Sequence, residues 1–216
     1  MTSAICLQGG AEFQSGCEQM DAAMLATAWF ASPDGAAGSP RVVIAPFAGR
    51  PGREREVAGR NAERWYRALG ADDVTVVVDE GDPFAEALTG ADLLVLPGGS
   101  PARLLDALLP HADRLRAAGD GSTAISGASA GAMVLCRWTV LPEGRTRIVP
   151  GLGIAGIDLV LPHYRGSTGW LDGARRVLPD AAVVLGLPER SGVILRPDGT
   201  RLPVGVAPVE QVTLPV

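Results

Sequence analysis

Ser129 stands in Gly127-Ala128-Ser129-Ala130-Gly131, a G-x-S-x-G spacing in which a sharp strand-to-helix turn can hold a serine in a strained, exposed conformation. Side chains at 127 or 131 would collide with the crossing strand and helix, so glycine is needed at both. A serine hydroxyl is a weak nucleophile and needs a neighbouring base to take its proton. The chain offers two histidines. His111, between Pro110 and Ala112, reads as a surface or capping residue at a helix start. His163, in Leu161-Pro162-His163-Tyr164, lies just past an expected strand end and is the candidate base. A base of this kind is oriented by a carboxylate. Glu143, Asp158 and Glu189 are the candidates, and residue types alone leave the choice open; Glu189 could equally bind substrate.

The elements that must position these groups follow from apolar periodicity and turn signals. Strands are expected at Ala4–Leu7, Arg41–Ala45, Val74–Val78, Asp92–Leu96 and Ser122–Ile125, with helices at Met20–Phe30, Arg53–Leu69 and Pro83–Leu88 between them. Val57, Ala58, Trp65 and Leu69 are the expected inner face of the second helix. Such alternation of continuous apolar strands with helices implies an α/β fold, a three-layer sandwich around a mostly parallel central sheet. Ligands in such sheets sit at the carboxyl ends of the strands. Two glycine-rich loops leave those ends: the elbow, and Pro97-Gly98-Gly99-Ser100-Pro101, where Gly99 can lend its N–H to an oxyanion while Ser100 caps a helix begun by Pro101. Gly9-Gly10 is either a close backbone approach to a ligand or an ordinary strand-end turn. Beyond the elbow come short strands at 138–140, 147–149, 159–161, 182–185, 193–196, 204–206 and 211–214, and a helix at 171–177. No repeat or linker divides residues 1–216, so one domain is expected.

Composition narrows the function classes. Hydrophobic residues make up 47% of the chain and aromatics only 5%, so the core is built mainly of Ala, Val and Leu. The net charge is −5, and the basic residues, all arginine, form no cluster, which argues against nucleic acid as partner. Cys6, Cys17 and Cys136 are odd in number and lack metal-ligand spacing. No metal or organic cofactor is implied. No basic, apolar leader and no apolar run of about 18 residues is present, so no membrane partner and a cytoplasmic location are expected. Association as a homodimer stays open.

The chain resembles the serine peptidase family of dipeptidase E and cyanophycinase. The matching features run in order from Gly9-Gly10 through Leu96-Pro97-Gly98-Gly99, Gly127-Ala128-Ser129-Ala130-Gly131-Ala132 and Gly151-Leu152-Gly153 to Pro162-His163-Tyr164 and Gly186-Leu187-Pro188-Glu189. The resemblance implies a class I glutamine amidotransferase-like, flavodoxin-like fold. It implies Ser129 as nucleophile, His163 as base and the N–H groups of Gly99 and Ala130 as the oxyanion hole. It favours Glu143, between serine and histidine, as the acid. Ser100-Pro101 replaces the pairs that follow the glycines in dipeptidase E-like and cyanophycinase-like members, so neither specificity carries over. Cysteine at the elbow and His-x-Glu, which glutaminases use, are absent: Ser129 and Arg165 stand there. The expected function is hydrolysis of short peptides by a serine exopeptidase or dipeptidase-like enzyme. The alternatives are a non-catalytic small-molecule-binding relative and a serine esterase.

Overall fold

The computed structural model describes residues 3–31, 38–143, 146–168 and 177–213. Its centre is a run of five parallel strands, β1 (Ile5–Gln8), β2 (Val42–Ile44), β3 (Val74–Val76), β4 (Leu93–Leu96) and β5 (Ala124–Ala128). The helices of the first half are α1 (Glu18–Ala31), α2 (Arg53–Ala68), α3 (Asp82–Thr89), α4 (Pro101–Leu108) and α5 (Ala112–Asp120), and the short α6 (Ala130–Leu135) follows the elbow. Six more strands complete the fold beyond them: β6 (Trp138–Leu141), β7 (Arg147–Pro150), β8 (Leu159–Pro162), β9 (Val184–Leu187), β10 (Ser191–Leu195) and β11 (Arg201–Gly205), with a two-residue β12 (Glu210–Gln211). The main sheet runs β11-β10-β1-β5-β4-β2-β3, its last two strands in sequence joining antiparallel beside β1.

The inner strands are buried on both faces, as their unbroken apolar sequences require. One face carries Met20, Met24 and Ala28 of α1 with Ala62 and Tyr66 of α2. The opposite face carries Phe84, Leu88, Leu104, Leu108, Leu115 and the whole of α6. Each fully buried Leu, Ile or Phe in these layers contributes about 1.5–3 kcal/mol. The elbow is therefore clamped between a rigid sheet and a packed helix.

The expected helix at 171–177 falls largely outside the described residues, and the other elements appear within a few residues of their expected positions. The inner face of α2 differs. Arg55, Gly59, Ala62 and Tyr66 are buried, whereas Val57 is exposed. Polar partners outweigh apolar content there. Tyr66 Oη donates to Asp21, and Arg55 spans Gly49 O, Val78 O and Glu80. Gly59 lies against Val76, where any side chain would collide at 2.4 Å.

Two small sheets flank the core: β6-β7, and β12-β9-β8, in which β8 and β9 pair in parallel with Pro162 opposite Leu187. Among the described residues no helix is long and apolar enough to cross a membrane.

Candidate active site

Ser129 follows β5 directly and takes φ 48, ψ −107 before the chain turns into α6. The turn is tied down from both sides, since Ser129 N–H donates to Gln8 O (2.9 Å) and Met133 N–H to Ser129 O (3.0 Å). The glycines act as the sequence requires. A side-chain carbon on Gly127 would lie 2.6 Å from the Gly131 backbone, and one on Gly131 would lie 2.1 Å from Leu96 O of β4.

His163 comes from the second sheet, one residue past β8, and has φ 54. Its N–H donates to Gly9 O at 2.8 Å. Glu189 lies two residues past β9. Because β8 and β9 run parallel in register, both loops emerge at the same edge and face the elbow. The result is a continuous relay: Ser129 Oγ lies 3.0 Å from His163 Nε2, and His163 Nδ1 lies 3.0 Å from Glu189 Oε1. The network assigns the tautomer, with Nδ1–H donating to the carboxylate and Nε2 accepting from the hydroxyl. The hydrogen bond from His163 holds the Glu189 carboxyl below the ordinary range, with help from the charges of His163, Arg165 and Arg190.

Glu143, the acid favoured from sequence, does not meet His163. It lies just past β6, on the side where β6 meets α4, and its Oε1 accepts the Ser100 hydroxyl proton. Asp158 caps Val183 N–H at 2.8 Å and pairs loosely with Arg137. Glu189, named from sequence as the alternative acid, is the carboxylate on the histidine.

Ser100 caps α4 and Pro101 begins it, as expected. Gly99, at φ 141, lies so close to Ala48 that a side chain would meet its carbonyl at 2.8 Å. Among the described residues no protein acceptor engages the N–H of Gly99 or of Ala130, so both donors are left without a backbone partner. His111 lies apart, at the end of a 3₁₀ turn, with its Nε2 2.6 Å from Glu80 O. Cys6, Cys17 and Cys136 are free and buried; among the described residues no cluster of His, Cys, Asp and Glu is placed to hold a metal.

Two features escaped the sequence reading. The first is the use of Gly9-Gly10. Gly10 O accepts Arg190 N–H at 2.9 Å, as Gly9 O accepts that of His163, so one turn holds both loops of the relay. A side chain on Gly10, whose φ is 113, would lie 2.3 Å from the imidazole. The second is Glu12, whose Oε1 accepts the Gly98 N–H at 2.8 Å beside the nucleophile. No motif surrounds Glu12; its only signal was proximity in sequence to the glycine pair.

A profile for Peptidase family S51 matches residues 13–200. The chain belongs to Peptidase family S51. It is therefore a serine peptidase of the dipeptidase E and cyanophycinase type. Its fold matches the crystal structure of a peptidase from an acI-B1 Actinobacterium, with a TM-score of 0.81 at 22% identity over 98% of this chain and 91% of that one. It also matches a Listeria monocytogenes EGD-e protein assigned provisionally as peptidase E, with a TM-score of 0.64 at 13% identity over 96% and 100%. No curated protein sequence matches significantly. The S51 fold here keeps the parallel sheet and the elbow at its carboxyl edge.

Proposed function

We propose that this S51 peptidase hydrolyses short peptides through an acyl-enzyme on Ser129, with His163 as general base, Glu189 as the orienting acid, and the Gly99 and Ala130 N–H groups as oxyanion hole. The observation that carries the reading is the unbroken relay of two 3.0 Å hydrogen bonds from Ser129 through His163 to Glu189. Glu189 replaces Glu143 in the role that sequence favoured for the latter.

In this mechanism Ser129 Oγ attacks the scissile carbonyl as its proton moves to His163 Nε2. Glu189 stabilises the imidazolium, and the two N–H groups hold the oxyanion, each worth about 3–4 kcal/mol in comparable sites. His163 then protonates the leaving amine, and the bond to it breaks. Water, activated by the same imidazole, attacks the ester and restores the serine. Exopeptidase action on short peptides rests on the likeness to dipeptidase E. A cytoplasmic location is part of the same proposal.

The test is cleavage of a dipeptide and tripeptide panel, read by mass spectrometry, with wild type and Ser129→Ala side by side. Cleavage by wild type alone is expected. Equal cleavage by both would remove Ser129 from the mechanism.

A further inference from the structure

Glu12 is a half-buried carboxylate placed against the nucleophile, and neither base nor oxyanion hole needs it. A side-chain carbon on Gly98 would lie 2.8 Å from Glu12 Oε1 and 3.1 Å from Ser129 Cβ, so the carboxylate and the serine border the same small space. Oε1 is occupied by the Gly98 N–H, which removes that donor from oxyanion binding and leaves the neighbouring Gly99 N–H for it. Among the described residues Glu12 forms no ion pair, so its charge is not neutralised by a neighbouring cation.

A fixed negative charge at this position opposes the oxyanion that the reaction must build, unless the substrate brings a compensating cation. It also repels a carboxylate on the residue whose carbonyl is attacked. Resting on the hydrolase reading above, we propose that Glu12 is the specificity-determining residue of the site and selects substrates carrying a positively charged nitrogen on that residue. The nitrogen comes from one of two sources. One is the free α-ammonium of an amino-terminal residue. The other is a basic side chain, for which there is room in a cleft of about 480 Å³ that Glu12 shares with Phe13, Gln14, Asn61, Arg64 and Trp65. Arg64 in that cleft is turned onto Asn61 Oδ1 at 2.9 Å.

The experiment measures Ser129 modification by aminoalkyl diphenyl phosphonates, read as intact mass against time. One reagent carries a free α-ammonium, a second is acylated with a lysine-like side chain, and a third is acylated and neutral. A neutral alkyl fluorophosphonate reports the nucleophile itself. In wild type, at least one cationic reagent is expected to outpace the neutral one by about 10- to 100-fold, the range of a charge-assisted hydrogen bond. Whichever cation is preferred names the source. Glu12→Gln keeps an oxygen for the Gly98 N–H and removes the charge, so the ratio of cationic to neutral rates should collapse towards unity. That ratio is internal to each protein and does not depend on how much of it folds. In wild type alone, raising salt from about 0.05 to about 0.5 M should shrink the ratio, because the carboxylate is partly exposed. Labelling by the fluorophosphonate with no cationic preference, or a preference unchanged in Glu12→Gln, overturns the role of Glu12 and leaves the hydrolase reading intact. No labelling by any reagent refutes the nucleophile, and the present proposal with it.

Discussion

Neutralising Glu189 while keeping its shape separates the two carboxylates that compete for the orienting role. In Glu189→Gln the amide oxygen can still accept the His163 Nδ1–H that now lies 3.0 Å from Oε1, but no anion faces the imidazolium formed when Ser129 loses its proton. Where such an acid is buried, the equivalent change costs about 10⁴-fold in turnover. Here the side chains of His163 and Glu189 are 49% and 41% exposed, so water and salt replace part of the lost charge. The expected loss in kcat is therefore smaller, about 30- to 300-fold, with KM little changed because the effect is confined to the transition state. Glu143→Gln should change kcat by less than about threefold, since Glu143 meets Ser100 and not the histidine. Steady-state cleavage of the best peptide from the panel, with both variants checked for native unfolding behaviour, makes the comparison. A larger loss in Glu143→Gln, or an unchanged kcat in Glu189→Gln, would refute the relay as drawn. Because the Glu189 carboxyl is held below its ordinary range, its charge and the stability it brings persist above the unfolded-state value and fade only as the medium turns strongly acidic.

Two further outcomes follow from the surroundings of the relay. Gly10→Ala forces a side chain to within 2.3 Å of the imidazole at a φ of 113, so it should cost roughly 1–3 kcal/mol in urea unfolding and abolish most turnover; near-wild-type activity would contradict the packing of that turn on His163. Asp21, beneath the site, accepts hydrogen bonds from Gln8, Trp65 and Tyr66, yet its burial pushes the carboxyl up to about 6. A raised value favours the folded state below the unfolded-state pKa and loses that advantage as pH rises through the folded one. The stability of wild type relative to Asp21→Asn should therefore fall by about 2 kcal/mol between pH 4 and pH 7; a difference independent of pH, by denaturant titration, would exclude an ionising Asp21.

The parts of this protein legible in its sequence are those fixed by neighbours along the chain. The elbow declares itself because its glycines must clear β4 and α6 within a few residues of Ser129. The helix cap at Ser100-Pro101 is equally local, and the apolar runs of the parallel strands are long enough to fix their type. His163 was identifiable because the chain offers only one other histidine. What sequence could not supply was anything that depends on which strands become neighbours. Glu143 stood nearer to Ser129 in the chain, whereas Glu189 is 26 residues beyond the histidine it meets. Only the parallel register of β8 and β9 carries both loops to one edge. Glu12 and Gly98 are 86 residues apart, and Tyr66 is 45 from Asp21. Local conformational preference acts over a few residues, so it determines the elbow and the elements. The pairing of distant segments is decided by collective burial, and that decided which carboxylate the histidine meets and which charge borders the serine.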